Sequence, residues 1–207
     1  MSDVRPDSAE TDGLLDAIDG GDRQALERLL ARHRAELRSF VEVRLDPRLA
    51  ARVDPSDVVQ EAQLEVVRRM DDFLRRRPMP FHLWLRKTAY ERLLDLHRHH
   101  VKRGKRSIHR EVALPERSSL LLARPLLRNA STPSQRLEAE ELAERVARVV
   151  AGLSEIDREI LLLRHSEAMP FDEIACLLDI EPVAARKRFG RALIRLQQGL
   201  SEEGLLE

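Results

Sequence analysis

A single cysteine, Cys176, stands in a chain of 207 residues. No internal disulfide and no Cys-rich zinc site can be built from it, and a reducing compartment, the cytoplasm, is the expected one. Aromatic residues are scarce too, at 3%, whereas Leu, Arg, Glu and Ala abound, which favours helices over sheets and predicts an all-α fold. Nowhere do about 18 apolar residues run uninterrupted, so no membrane span is expected. The opening stretch "MSDVRPDSAETDGLLDAID" has no basic region followed by an apolar run, and no secretion signal is expected either. Net charge is absent as well, because 36 basic residues face 36 acidic ones. That balance says little about partners, since a polyanion feels the charge within about 10 Å at physiological salt. A nucleophile beside a base, a paired-carboxylate cleft and a Gly-rich phosphate loop are all missing, so neither catalysis nor a cofactor is expected.

What is present is helical periodicity with clear interruptions. A tail over residues 1–12 precedes patterning that begins near Gly13 and pauses at "GGD", where Asp22 is placed to cap a long helix. Leu26, Leu29, Leu30, His33, Leu37, Phe40 and Val41 follow at three-and-four spacing. Asp54 followed by Pro55 makes a second start, with Val58, Val59, Ala62, Val66, Val67 and Met70 as its apolar positions. "RRRPMP" breaks that helix before another runs from about Phe81 to His100. Residues 106–132 lose the pattern and carry Pro115 and Pro125. They read as a linker between two small helical domains, 13–105 and 133–200, with a short tail over 201–207. In the second domain Ser154 reads as an N-cap with Asp157 three residues on, a weak capping box.

Charge is segregated most sharply near the end. From Pro182 to Leu196 there are five cations and no acid. On a helix, Ala185, Phe189, Ala192, Leu193 and Leu196 fall on one apolar stripe. Lys187, Arg188, Arg191 and Arg195 fall roughly opposite, with Ala184 among them and Arg186 on the flank. No i,i+4 acid within the helix neutralises that face. An isolated basic helix is most often a solvated face. Here a preceding apolar-striped segment, Phe171 to Leu178, is separated only by "DI" from Glu181 and Pro182. That tight turn matches a helix-turn-helix, whose second helix enters the major groove.

A second basic region lies in the first domain. Between Arg86 and Arg110, nine Lys or Arg residues face two acids, Glu91 and Asp95. Arg86, Lys87, Tyr90, His97 and Arg98 share a helical face suited to phosphates and a stacked base, and Lys102 and Arg103 extend the charge. Trp84 borders the apolar stripe and reads as core. "HRHH" at 97–100 lacks the spaced partner ligands of a zinc site, so no metal is expected.

These stretches carry a resemblance. "LSEIDREILLLRHSEAMPFDEIACLLDIEPVAARKRFGRALIRL" resembles the carboxy-terminal domain of bacterial sigma-70-family factors of the extracytoplasmic-function type, matching at Arg158, Glu159, Leu161 to Arg164, Glu173 to Ala175, Ile180, Arg186, Arg188, Arg191 and Ala192. The first domain is similar to the amino-terminal domain of the same family, through Asp57, Val59, Gln60 and Glu61 and then Phe81, Trp84, Leu85, Ala89, Asp95 and Arg98. The resemblance implies a factor that binds core RNA polymerase, through the β′ clamp and the β flap, and directs it to promoter DNA. It implies that Ala184, Arg186, Lys187, Arg188, Arg191 and Arg195 meet the minus-35 element. Arg75, Arg76, Arg77, Arg86, Lys87, Tyr90, His97, Arg98, Lys102 and Arg103 would serve the minus-10 element and melting. Asp57, Gln60, Glu61 and Glu65 form an acidic ridge that would dock on the clamp. An anti-sigma factor is a further partner that the resemblance implies. Ala184 and Ala185 stand where the family usually has Thr and Val, so a hydroxyl contact to DNA is missing, and Glu91 replaces the usual Asn. The rival expectation is a helix-turn-helix regulator that works without docking on core polymerase.

Overall fold

The computed structural model describes residues 4–45, 49, 52–104, 122 and 133–205, and of the side chains at 100–104 and 133–137 nothing is stated. The described residues are helical, with no strand among them. The chain divides into two compact units, one over Met1–Glu111 with Cys176–Leu178 and one over Val112–Ala175 and Asp179–Glu207. Apart from Leu122, the expected linker 106–132 lies outside the described residues.

The first unit holds α1 (Ala9–Asp19), α2 (Arg23–Arg44), α3 (Pro55–Arg76) and α4 (Phe81–Gly104). Each start has a local cause. Ser8 accepts from the Thr11 N–H, Asp22 from the Gln24 and Ala25 N–H groups, and Asp54 from the Ser56 N–H ahead of Pro55. The Ser56 N–H and then its hydroxyl hold the exposed Asp54 carboxyl below its ordinary pKa. Helix thus begins at Ala9 and not near Gly13, because a Ser cap precedes the first apolar residue by several positions. Gly21 adopts φ 92° between α1 and α2, a conformation that glycine reaches without a Cβ penalty.

The core of this unit is the meeting of α2, α3 and α4. Phe73 stacks on Trp84 at 4.3 Å between ring centroids and meets Phe81 edge-on at 5.8 Å. Leu29, Val59, Ala62, Val66, Phe81 and Leu83 are fully buried, and a large apolar side chain so placed stabilises by about 1.5–3 kcal/mol. Trp84 is therefore core, as its register indicates. Gln63 adds a cross-helix bond, its amide donating to the Leu30 carbonyl at 3.0 Å.

The amino-terminal segment closes the unit in a way that no local motif announces. Asp7 lies beside the start of α4 and accepts from the Phe81 N–H at 2.5 Å and the His82 N–H at 3.1 Å. The His82 ring donates through Nδ1 to the same carboxylate at 2.8 Å. Burial alone raises the Asp7 pKa, but the His82 ring and these two N–H groups outweigh it and hold the carboxyl below its ordinary value. Residues expected to be tail are thus the cap of a helix more than seventy positions on. Nearby, the His33 ring lies 3.2 Å from the buried Thr11 hydroxyl and tilts against Phe81 at 5.5 Å.

The second unit holds α5 (Pro133–Ala151), α6 (Glu155–Leu161), a π-helical turn (Leu162–Ser166), α7 (Phe171–Leu178) and α8 (Pro182–Glu202). Ser154 caps α6 through the Asp157 N–H at 3.3 Å, so half of the expected capping box forms. Arg158 reaches back to the carbonyls of Ala151 and Leu153, at 2.7 and 2.9 Å, and ties the turn between α5 and α6. Ile160, Leu161, Leu162 and Leu163 are all buried. One helix face cannot bury four successive residues, and the change to the π turn re-aims this run. Arg164 then donates to the Met169 carbonyl at 3.0 Å, closing the loop before α7. Further on, α8 passes close to α5 at Gly199, where a Cβ would lie 2.6 Å from Cγ1 of Val149.

Candidate nucleic-acid interface

The link between α7 and α8 is three residues. Asp179 ends α7 in the left-handed region at φ 56°, and Pro182 opens α8 behind Glu181. The Ile180 N–H donates to the Ala175 carbonyl at 3.0 Å, and the Ala185 N–H to the Glu181 carbonyl at 2.9 Å. Phe171 meets Phe189 edge-on at 5.5 Å, which fixes the turn. Neither Pro170 nor Glu181 caps with its side chain. This is the helix-turn-helix arrangement that the sequence predicts.

The basic face of α8 divides in two. Ala185 and Ala192 are buried and Phe189 and Leu196 half-buried, so the stripe is as expected except at Leu193, which is exposed. Arg195 is ion-paired with Asp157 of α6, and Arg188 lies 4.0 Å from the other oxygen of that carboxylate. Arg186 pairs with Asp172 at 3.5 Å and lies over the Phe171 ring. No acid within α8 neutralises its cations, but acids from α6 and α7 reach three of them. Lys187 and Arg191 are exposed and have no acidic partner among the described residues. Ala184, Val183 and Ile194 are exposed beside them. Sequence reasoning did not single out Val183 and Ile194, although their register next to Lys187 marks them.

In the first unit the expected minus-10 residues are spread over two elements. Arg75 and Arg76 pair with Asp72 at 3.2 and 3.1 Å. Arg77, left-handed at φ 35°, ends α3 and pairs with Asp16 of α1 at 2.8 Å. All three pairs are exposed, and such pairs are worth about 0–1 kcal/mol, so a phosphate can replace the carboxylate. On α4, Arg86 is largely covered, with its head 2.5 Å from Glu36 and over the Phe40 ring. Lys87, Tyr90 and His97 are half-buried, and Arg98 is exposed and pairs with Asp95 at 3.1 Å. Lys102 and Arg103 belong to the α4 backbone, and their side chains lie outside the described residues. Among the described residues, no group of His, Cys, Asp or Glu is placed to hold a metal.

Asp57, Gln60 and Glu61 are exposed on one face of α3, whereas Glu65 is half-buried and sits 3.6 Å from Arg68. The face includes two residues that the sequence did not assign to it. Leu64 and Val67 are 53% and 43% exposed; Leu64 follows Gln60 by four residues and Val67 follows it by seven, which puts both on its side of the helix. Val67 was expected on the apolar stripe, but Val66 alone turns inward. The ridge is therefore acidic and apolar together, a composition that fits a docking surface better than a solvated face.

Residues 143–196 match the family model described as sigma-70, region 4. The ECF RNA polymerase sigma-E factor of Escherichia coli (strain K12) is 28% identical over 179 residues, 86% of this chain and 88% of that protein. The sigma-E factor of Haemophilus influenzae is 25% identical over the same length. Among solved structures, CnrH in complex with the cytosolic domain of CnrY superimposes with a TM-score of 0.57 at 24% identity, covering 93% of this chain and 98% of that one. The sigma factor RpoE from Bartonella quintana, in complex with the anti-sigma factor NepR, gives 0.55 at 16% identity, over 84% of this chain and 96% of that one. A match of 179 residues extends well beyond the helix-turn-helix and takes in helices of both units, so over most of its length the chain is similar to sigma factors of the extracytoplasmic-function type, and residues 143–196 match sigma-70 region 4.

Proposed function

We propose that the chain binds core RNA polymerase, brings it to particular promoters and promotes initiation of transcription there. The observation that carries this reading is the exposed face of α3. Asp57, Gln60, Glu61, Leu64 and Val67 combine acids with solvent-facing apolar side chains, which a regulator acting on DNA alone has no use for. A basic, partly apolar helix such as a clamp coiled coil satisfies both halves of that face.

The modules on this reading are residues 13–105, which dock on the clamp and serve the minus-10 element, and 133–200, which dock on the β flap and serve the minus-35 element. In α8, Lys187 and Arg191 make the first contacts with the duplex, and Val183, Ala184 and Ile194 supply apolar contact of the kind that reads a thymine methyl. Arg75, Arg76 and Arg77 exchange their carboxylate partners for phosphates when strands separate. Chemistry belongs to the polymerase, so this chain needs no catalytic centre or cofactor. Among the described residues no helix is long and apolar enough to cross a membrane, and the factor works in the cytoplasm, beside its polymerase. An anti-sigma factor is a fitting regulator, as in the solved complex of RpoE with NepR.

The test is transcription by core polymerase with and without the full chain, followed by sequencing of the transcripts. The expected result is a set of start sites that share an upstream and a downstream element, lost with Glu61→Arg together with capture of core. If Glu61→Arg and Leu64→Glu chains still capture core as the parent does, the docking face is misassigned. If the parent captures no core at all, the helix-turn-helix regulator is the better reading.

A further inference from the structure

Beneath the helix assigned to promoter reading lies a carboxylate, where a DNA-facing surface ordinarily keeps cations. Asp157 is fully buried in the first turn of α6. One of its oxygens accepts from Arg195 Nη1. The other takes no hydrogen bond from the described residues, although Arg188 Nη1 stands 4.0 Å away. Arg188 and Arg195 are seven positions apart, two turns of one helix, so a single carboxylate faces both. A buried, half-satisfied carboxylate is costly to keep, and packing alone would be served better by an apolar side chain. Its use must then lie in what it does to the two arginines.

We propose that Asp157 is a positioning residue that sets the specificity of α8 by holding Arg195 off the phosphate backbone and keeping Arg188 shared between carboxylate and duplex. The claim rests on the reading of α8 given above. Every cation that reaches a phosphate adds affinity without sequence information. Specificity is the ratio of promoter to non-promoter binding, so cations that attract every duplex equally lower it. With Asp157 in place, α8 meets DNA chiefly through Lys187 and Arg191, and Arg188 moves to a base or phosphate only where the groove offers more than the carboxylate does. Arg191 lies between Arg188 and Arg195 in sequence but is exposed and makes no ion pair with Asp157 among the described residues, which leaves it available for readout.

The test uses the full chain and a 30-bp duplex with no promoter, binding being followed by fluorescence anisotropy through a salt series. Asp157→Asn is expected to steepen the slope of log K against log salt by about 0.9 for each arginine released to a phosphate, and to tighten binding at low salt. In holoenzyme the same change lowers the ratio of promoter to non-promoter binding. Adding Arg195→Gln to Asp157→Asn restores most of the parent slope, and Asp157→Glu, which keeps the charge, leaves it near the parent. Arg195→Gln alone leaves Asp157 a donor, and it covers the case in which Asp157→Asn fails to fold. Its slope is expected to match the parent, because Arg195 does not meet phosphate. A slope shallower by about 0.9 in that variant overturns the proposal, as does an unchanged slope and ratio in a folded Asp157→Asn chain. If the parent holoenzyme shows no promoter preference, the functional reading falls, and the duplex slopes still decide the role of Asp157.

Discussion

Removing the Asp7 carboxylate should loosen the whole first unit. Its side chain is 7% exposed and receives two backbone N–H groups from the start of α4 and the ring of His82. Asp7→Ala leaves all three donors without that partner. Loss of a helix cap costs about 0.5–2 kcal/mol, and bonds to a charged group are worth about 1.5–3 kcal/mol each but do not add in full. About 2 kcal/mol is the expected loss, the upper end of the capping range, because the site is covered from water. The chain has one tryptophan, Trp84, and it stacks on Phe73 inside this unit. Its fluorescence in urea therefore reports the first unit even where the chain as a whole is not two-state. With a slope of about 2 kcal/mol per molar urea, the midpoint should fall by about 1 M. Since the Asp7 carboxyl is held below its ordinary pKa, this stabilisation is complete above the carboxylate range and fades as pH falls through the folded value. The difference between parent and variant should thus be constant from pH 5 to 8 and shrink in stronger acid. An unchanged midpoint at pH 7 would refute the capping argument.

Two further perturbations test other parts of the packing. Burial pushes the His33 pKa down, against the pull of Glu36 and Asp7 and with the help of Arg32 and His82, so the folded first unit favours the neutral ring. Stability from this source is present above the ordinary histidine pKa and is lost as pH falls through the folded value. The Trp84 urea midpoint should drop between pH 8 and 5.5 in the parent and drop less in His33→Gln. In the second unit, Gly199→Ala puts a methyl 2.6 Å from Val149 Cγ1, and valine in a helix has little rotamer freedom with which to yield. Overpacking of about 1–3 kcal/mol exceeds the helix-propensity gain of roughly 1 kcal/mol. A lower melting temperature by circular dichroism is expected, recovered in part by adding Val149→Ala. A Gly199→Ala chain that melts at or above the parent would show that the close approach yields freely.

The pattern of what the sequence revealed follows from the range of each interaction. Asp22, Asp54 and Ser154 cap the helices beside them, and a contact that spans three residues can be read from three letters. Trp84 is found by its register, because one face of α4 is consistently apolar until the core ends. The apolar faces of α3 and α8 are legible for the same reason, yet each is misjudged at one edge. Val67 and Leu193 were counted inward and are exposed, since a stripe about 100° wide leaves flanking positions to be decided by the neighbouring helix. The long-range contacts of Asp7 and Asp157 were beyond that kind of reading. Asp7 acts on residues 74 and 75 positions away, and Asp157 on one 38 positions away. A helical wheel of residues 182–196 can show only the acids of that stretch, and finding none it shows an undivided basic face. The acids that divide that face come from α6 and α7, and no periodicity within α8 can register them. The cations of α8 therefore differ in ways that their letters do not show. Arg186, Arg188 and Arg195 carry carboxylates that duplex must displace, whereas Lys187 and Arg191 meet it with none among the described residues, so Arg191→Ala should weaken promoter binding more than Arg195→Ala does.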